Sequence, residues 1–239
     1  MEAREKLIIA LDVSDVEQAL DLVEKLKNHV GFFKVGLELF CNHGPGIVTA
    51  IKEKGGRVFL DLKFLDIPRT AAQAAKAAVR VGADMFTVHL SGGNEMLRAV
   101  VDAVREEATG VPHPQVIGVT VLTSLGAEQL KNEVGVLRSP LEQVLFLAEQ
   151  ALRCGLNGVV ASPREASAIR ARYGSDLLII TPGIRPRGAG GDDQKRTGTP
   201  ASALKAGADY LVVGRPVLRA PDPCQAAREI IQEIEEALK

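Results

Sequence analysis

The segment Phe59-Leu-Asp-Leu-Lys-Phe-Leu-Asp-Ile-Pro68 joins an apolar strand to the helix that follows it. Strand alternation predicts that Asp61 and Lys63 point to the same face. Pro68 suits the first turn of a helix, and the helix dipole favours a carboxylate such as Asp66 just before it. A strand-end ion pair beside a helix start is the simplest interpretation. It leaves two charges on a very apolar strand unexplained, and because desolvating charges is costly, we favour a functional site.

Strand-like and helix-like segments alternate around this junction along the whole chain. The predicted strands cover residues 7–12, 32–36, 57–60, 84–89, 115–121, 158–161, 177–181 and 210–213. The predicted helices cover residues 16–28, 45–54, 68–81, 94–107, 140–154, 163–173, 200–206 and 223–238. Strand–helix units in this number fit a (β/α)8 barrel, which typically has about 250 residues. A doubly wound open sheet is the alternative, but it usually has fewer strands. We therefore predict an α/β protein with a single (β/α)8 TIM-barrel domain over residues 1–239.

Composition narrows the possible partners. Hydrophobic residues make up 46% of the chain and aromatic residues only 4%, so small aliphatic side chains must fill the core, as in parallel α/β folds. A net charge of −1 does not indicate the excess of basic residues that binding to nucleic acid or an anionic membrane would require. We find no secretory signal or membrane-spanning run. The 3 cysteines are scattered and suggest neither a disulfide framework nor a metal site. These features predict a cytoplasmic protein with no nucleic-acid or membrane partner.

Charged residues lie at the ends of the first three predicted strands. Barrel enzymes place their chemistry at the C-terminal ends of the strands, and there the sequence has Asp12, Lys34, Asp61 and Lys63. Their signs alternate, so the groups can neutralise one another while staying available to a charged substrate. Asp12 has a second interpretation, as the cap of the helix after it.

Two other polar residues at strand ends have simpler structural explanations. His89, after the fourth strand, is by itself more typical of a hydrogen-bonded structural residue than of a catalyst. Ser162, directly before Pro163, is most simply a helix start.

The last two strand–helix units have the features of a phosphate site. Residues 183–196 form a long connection rich in glycine and cations, which is typical of a lid or of a disordered segment. Gly214 and Arg215 follow the eighth strand, where glycine allows close backbone approach and arginine offers a planar fork to an anion. A following helix N-terminus would add its dipole. Loops seven and eight commonly bind phosphate in barrels.

The chain resembles the orotidine 5′-phosphate decarboxylase family in its bacterial form. The resemblance is carried by Ala10-Leu-Asp12, Phe33-Lys-Val-Gly36, Asp61-Leu-Lys-Phe-Leu-Asp-Ile-Pro68, Val121-Leu-Thr-Ser124, Thr181-Pro-Gly-Ile-Arg185, Gly191-Asp-Asp-Gln-Lys-Arg196 and Val213-Gly-Arg-Pro216. Two positions depart from the family pattern, which usually has histidine in place of Leu65 and asparagine in place of Arg69.

The resemblance implies a cofactor-free homodimer that converts orotidine 5′-monophosphate to UMP and CO2, the last step of de novo pyrimidine synthesis. It implies that Lys63 donates a proton to C6 of the pyrimidine and that Asp61 faces the departing carboxylate. By the same resemblance, the substrate-binding residues are Asp12 and Lys34 at the ribose, Thr123 and Ser124 at the base, Pro182, and Arg185, Gln194, Gly214 and Arg215 at the phosphate. The resemblance further implies that Asp66, Ile67 and Thr70 reach across into the partner's site.

Other functions remain open at this stage. A related sugar-phosphate decarboxylase or aldolase would use Mg²⁺ and carry a glutamate ligand at the end of the second strand. Lys34 occupies that place here, and its ammonium would repel a divalent cation. A non-catalytic nucleotide-binding barrel would be expected to lack Lys63 or one of the motif aspartates. A phosphate-binding barrel of another pathway would leave Asp61, Lys63 and Asp66 unexplained.

Overall fold

A closed ring of parallel strands organises the chain in the computed structural model, which describes residues 2–186 and 198–239. The strands are β1 (Leu7–Ala10), β2 (Phe32–Gly36), β3 (Val58–Phe64), β4 (Met85–His89), β5 (Gln115–Val119), β6 (Gly158–Val160), β7 (Leu178–Thr181) and β8 (Tyr210–Val213). Each strand pairs with the next in sequence, and β1 pairs with β8 through Leu7–Leu211 and Ile9–Val213. The predicted (β/α)8 barrel is thereby confirmed.

Helices cover the outside of this ring. Within the described residues they are α1 (Val16–Leu26), α2 (Leu37–His43), α3 (Gly46–Glu53), α4 (Pro68–Arg80), α5 (Gly93–Glu107), α6 (Ala127–Asn132), α7 (Pro140–Arg153), α8 (Pro163–Tyr173), α9 (Pro200–Lys205), α10 (Arg215–Leu218) and α11 (Pro223–Leu238). Short 3₁₀ segments cover Ala3–Lys6 and Leu90–Gly92. None of the described helices is both long and apolar enough to cross a membrane.

The helix starts follow the capping residues in the sequence. Proline occupies the first turn of α4, α7, α8, α9 and α11, as their sequence starts predicted. Asp15 caps α1 by accepting hydrogen bonds from the main-chain N–H groups of Glu17 and Gln18. The suggestion that Asp12 caps this helix is therefore wrong, because Asp15 is the residue that directly precedes the first turn.

Two hydrophobic cores result from strands that are apolar on both faces. The larger core lies between the ring and the helices, and the smaller one fills the barrel interior with side chains that include Ile8, Phe59 and Ile180. At the N-terminal end of the barrel, Phe32 packs edge-on against Tyr210 with ring centroids 5.6 Å apart. In (β/α)8 barrels with a filled interior, ligands bind at the C-terminal end of the strands.

Candidate active site

Four charged side chains form a continuous row at the C-terminal mouth of the barrel. The Lys34 Nζ atom lies 3.0 Å from Asp12 Oδ1 and 3.7 Å from Asp61 Oδ2. The Lys63 Nζ atom lies 3.0 Å from Asp61 Oδ1. The alternation of signs along the sequence is therefore also an alternation in space. We call Asp12, Lys34, Asp61 and Lys63 the charge row.

Two glycines leave room for the charge row. A Cβ atom on Gly36 would lie 3.0 Å from Lys34 Nζ, and one on Gly214 would lie 3.3 Å from Asp12 Oδ2. Both distances are shorter than ordinary van der Waals contacts, so any side chain at either position would displace a charged group. Gly36 ends β2 and Gly214 follows β8, which places small residues on both sides of the Asp12–Lys34 pair.

β3 is irregular where it carries its charges. Its register against β4 shifts between Leu60 and Phe64, and Lys63 has a φ of 52°, the one positive value among the described residues other than glycine. The prediction that Asp61 and Lys63 point to the same place is confirmed by their contact. The predicted reason, regular strand alternation, is wrong, because the strand bulges there and Lys63 takes a left-handed backbone conformation.

Asp61 is held in its ionised form. Burial by itself would raise the pKa of this carboxyl, but the ammonium groups of Lys34 and Lys63 and the hydroxyl of Thr87 more than compensate. The pKa of Asp61 therefore lies below its ordinary value.

A cavity of about 240 Å³ opens beside the charge row. Apolar side chains from the barrel interior, among them Phe59, Ile180 and Val212, form part of its wall. The predicted site residues that line it are Asp12, Lys34, Asp61, Lys63, Thr123, Pro182, Arg185, Gly214 and Arg215. One cavity thus brings together residues that lie in β2 and β3 and residues that follow β1, β5, β7 and β8.

The β7–β8 side of the cavity contains the predicted phosphate residues. The main-chain N–H of Arg185 donates to the Gly198 carbonyl over 2.9 Å, so the two segments that flank residues 187–197 are joined at the cavity wall. Arg215 begins α10, whose single turn of four residues gives only a small dipole. A helix start does follow Gly214, and the side chains of Arg185 and Arg215 supply full positive charges on this side of the cavity.

Other predicted residues lie outside the cavity or outside the described chain. Ser124 is exposed and follows Thr123 without lining the cavity. Asp66, Ile67 and Thr70 are also exposed, on the connection into α4 and its first turn, and Ile67 is 67% exposed. Gln194 and most of the predicted lid fall among residues 187–197, outside the described residues.

The two polar residues with simple structural explanations are hydrogen-bonded as expected. The Nδ1 atom of His89 lies 2.7 Å from Ser91 Oγ and accepts from the Ser91 main-chain N–H over 3.3 Å. Burial lowers the pKa of His89, and the nearby Lys63 ammonium lowers it further. Ser162 caps α8 in a reciprocal arrangement with Glu165.

Thr87 contacts the charge row but was not predicted as a site residue. Its hydroxyl oxygen lies 3.0 Å from Asp61 Oδ1 and 2.9 Å from the main-chain nitrogen of Lys63. The sequence signal was weak, because threonine is common in strands and nothing in the run from Met85 to His89 sets it apart. In residues 2–186 and 198–239, no group of three or more His, Cys, Asp or Glu side chains is arranged to hold a metal ion.

The closed barrel and its charged C-terminal mouth define an enzyme of the (β/α)8-barrel class. The sequence matches the profile of the orotidine 5′-phosphate decarboxylase / HUMPS family over residues 5–230, and the chain belongs to that family. The orotidine 5′-phosphate decarboxylase of Moorella thermoacetica is 54% identical over 237 residues, covering 98% of this chain and 94% of the relative. That of Syntrophomonas wolfei is 51% identical over 239 residues, covering 99% and 100%.

A solved structure shows the same similarity in three dimensions. The crystal structure of orotidine 5′-phosphate decarboxylase from Lactobacillus acidophilus superimposes with a TM-score of 0.85 at 37% sequence identity. The superposition covers 95% of this chain and 98% of the other. The fold and family resemblance found in the sequence are therefore confirmed.

Proposed function

We propose that this protein decarboxylates orotidine 5′-monophosphate to UMP and CO2 without a cofactor, as the last step of de novo pyrimidine synthesis. The observation that carries the proposal is the Lys63 ammonium, held 3.0 Å from Asp61 in the wall of the cavity. Relatives that match nearly the whole chain and are named for this activity support it. A cytoplasmic location belongs to the same proposal and agrees with the 3 free cysteines.

The proposed reaction breaks one carbon–carbon bond and transfers one proton. The bond between C6 and the carboxylate carbon breaks, CO2 leaves, and the electron pair remains on C6. The Lys63 ammonium then gives a proton to C6, and Lys63 regains a proton from solvent. Asp61 faces the departing carboxylate and holds the ammonium in place through the contact at 3.0 Å.

The carbanion at C6 has no electron sink in the pyrimidine, so its charge must be stabilised by groups already in position. At an effective dielectric constant near 20, a charge pair about 4 Å apart contributes about 4 kcal/mol. If realised only in the transition state, this corresponds to roughly a thousandfold in rate. One pair is therefore insufficient for a difficult decarboxylation, and the rest of the charge row must contribute by fixing Lys63 and Asp61.

Binding energy from the phosphate is the second source of catalysis in this proposal. Arg185 and Arg215 line the cavity on its β7–β8 side and would hold the phosphate, with Gln194 from the region outside the described residues. Asp12 would bind the ribose, and Thr123 and Ser124 the base. Binding energy from the phosphate, which is remote from C6, can be used to order the reacting end of the substrate.

The position of Lys34 favours this reaction over that of a magnesium-dependent relative. The Lys34 ammonium lies between Asp12 and Asp61, at 3.0 Å and 3.7 Å. A divalent cation that used these two carboxylates would have to occupy the place of a positive charge. The pair of carboxylates therefore suits a lysine-centred site better than a metal site.

We further propose that the enzyme acts as a homodimer with shared active sites. Asp66, Ile67 and Thr70 are exposed and do not line the cavity of their own chain. Leu65 beside them is also 55% exposed, so the segment presents apolar surface that a second copy could cover. In such a dimer, these residues would reach the partner's substrate.

An absorbance assay with orotidine 5′-monophosphate in excess chelator tests the proposed activity. We expect full turnover in chelator, with UMP as the product. Activity that disappears in chelator and returns with Mg²⁺ would assign the protein to the sugar-phosphate relatives. Nucleotide binding without turnover would indicate a non-catalytic barrel.

A further inference from the structure

The Thr87 hydroxyl group connects the two residues of β3 that act on the substrate. It donates a hydrogen bond to Asp61 Oδ1 over 3.0 Å and accepts one from the Lys63 main-chain N–H over 2.9 Å. A threonine hydroxyl can do both at once, because it has one proton and two lone pairs. The Thr87 side chain is fully buried, at 0% exposure, so solvent does not compete for either bond.

These bonds lie where the ladder between β3 and β4 is interrupted. Leu60 is paired with Phe86 and Phe64 with Val88, so three residues of β3 lie opposite Thr87 alone. The Lys63 N–H lies inside this bulge, and the Thr87 side chain supplies its acceptor. A left-handed conformation is unfavourable for a residue with a side chain and persists only where its surroundings hold it.

The same hydroxyl group also selects the orientation of Asp61. Oδ1 accepts from both Thr87 Oγ1 and Lys63 Nζ, each over 3.0 Å, while Oδ2 faces Lys34 at 3.7 Å. A donor aimed at Oδ1 stabilises the carboxylate and opposes rotation about its last bond. Thr87 thus acts on both partners of the Asp61–Lys63 pair from a position beneath the cavity, without lining it.

We propose that Thr87 is a positioning residue, which holds the Lys63 backbone in its left-handed conformation and Asp61 in the orientation that places the Lys63 ammonium at the substrate. This inference rests on the proposed function and goes beyond it by assigning the geometry of the proton donor to a side chain that does not touch substrate. Because the proposed phosphate contacts lie on the β7–β8 side of the cavity and do not involve Asp61 or Lys63, the effect belongs to kcat more than to KM.

Three variants at Thr87 and one control separate positioning from general stability. Thr87→Val removes the hydroxyl at nearly the same shape, Thr87→Ala does so with a smaller side chain should the valine variant not fold, and Thr87→Ser retains the hydroxyl. The matched control is Thr120→Val. Thr120 is also buried, at 1% exposure, but its hydroxyl donates to the Val160 carbonyl over 2.7 Å and does not bond to the charge row.

Steady-state kinetics with orotidine 5′-monophosphate give the first measurement. We expect Thr87→Val to lower kcat by about ten- to hundredfold, as for a lost hydrogen bond to a charged group or a small misplacement of reacting groups. KM should change by less than about threefold, since the phosphate contacts are intact. Thr87→Ser and Thr120→Val should stay within about threefold of wild type in both constants. A folded Thr87→Val enzyme with wild-type kcat would overturn the proposal.

The second measurement needs no activity and separates a failure of this inference from a failure of the proposed function. Carboxyl ¹³C NMR follows the titration of Asp61 in the free protein, with its signal identified by its absence in Asp61→Asn. We expect a higher pKa for Asp61 in Thr87→Val and Thr87→Ala than in wild type, and no change in Thr87→Ser or Thr120→Val. An unchanged pKa in both hydroxyl-free variants would refute the role of Thr87, even if wild type proved inactive on the nucleotide.

Discussion

Asp61 and Lys63 are two residues apart on β3, yet their charged groups meet at 3.0 Å in a stretch where the strand leaves regular geometry. In a regular strand, residues at this spacing have Cα atoms about 7 Å apart and parallel side chains. The left-handed conformation of Lys63, with a φ of 52°, brings this contact about in an irregular segment. The pair is therefore built at the cost of local backbone strain.

Lys63→Ala should abolish turnover while the barrel still folds. The variant lacks the proposed proton donor, and general acid catalysis alone commonly contributes about a hundred- to ten-thousandfold. Steady-state assays and circular dichroism measure activity and fold in the same samples. Lys76→Ala, which removes a lysine from α4, is the control and should retain activity. A Lys63→Ala enzyme within tenfold of wild type would show that another group donates the proton.

Lys63→Gly should be more stable than Lys63→Ala. Both variants lose the ammonium, and they differ mainly in the backbone conformation at a φ of 52°, which glycine adopts without penalty. The strain that glycine avoids is about 1–2 kcal/mol, and its greater entropy in the unfolded chain offsets part of this, so the net difference in the free energy of unfolding, measured in urea, should be on the order of 1 kcal/mol. The same pair of substitutions at Lys76, inside α4, should give the opposite sign by about 1 kcal/mol. Equal stabilities at position 63 would mean that its backbone is not strained.

The stabilisation that ionised Asp61 gives the folded protein should be lost at acid pH. Its pKa is lowered in the folded state, so the unfolded state binds a proton more readily. The resulting stabilisation is fully present above the unfolded pKa of about 4 and is lost as the pH falls through the folded pKa. Urea unfolding between neutral and acid pH should show this slope in wild type and a shallower one in Asp61→Asn. Asp102→Asn, which removes an exposed carboxylate on α5, should leave the slope unchanged.

Subunit mixing tests the shared active site. Lys63→Ala and Asp66→Ala proteins should each be inactive, because each site would need Lys63 from one chain and Asp66 from the other. In a mixed dimer, one site contains both substitutions and the other contains neither. Activity should therefore return at one of the two sites in each heterodimer. If mass spectrometry confirms exchange and activity stays absent, Asp66 acts within its own chain.

Arg215→Ala should weaken catalysis mainly through the phosphate. Arg215 lines the cavity beside Gly214, and a charge-assisted contact to phosphate is worth about 1.5–3 kcal/mol, or about ten- to hundredfold in affinity. The loss in kcat/KM should appear with orotidine 5′-monophosphate and be nearly absent with orotidine, which has no phosphate. Arg219→Ala is the control, since Arg219 is exposed and does not line the cavity. Equal losses with both substrates would assign Arg215 to support of the barrel.

Much of this architecture could be predicted from periodicity and capping residues. The predicted bounds of β2, β8, α8 and α11 agree with the structure, because clear changes of pattern or a capping residue followed by proline mark them. α2, α6 and α10 were missed, since each is short and none begins with a side-chain cap of the usual type. Short helices depend on tertiary packing, which a local pattern does not contain.

The site was predictable where charge stands out against an apolar background. Lys34 and Asp61 are conspicuous at the ends of apolar strands, and their spatial order follows from the order of the strands. The bulge in β3 and the contacts of Thr87 could not be predicted, because they depend on the register between β3 and β4. A one-residue change of register alters which groups meet, and the sequence of a single strand does not specify it.

A ligand in the cavity would contact both strands of the pair that closes the barrel, β1 and β8. Asp12 follows β1 and Gly214 and Arg215 follow β8, so the cavity lies across the seam where the first strand meets the last. A nucleotide that binds residues after both strands would link them noncovalently where the ring closes. Since a ligand that binds only the folded state stabilises it by mass action, occupancy should oppose the opening of the β1–β8 pair. The substrate would then serve the enzyme as a temporary structural part.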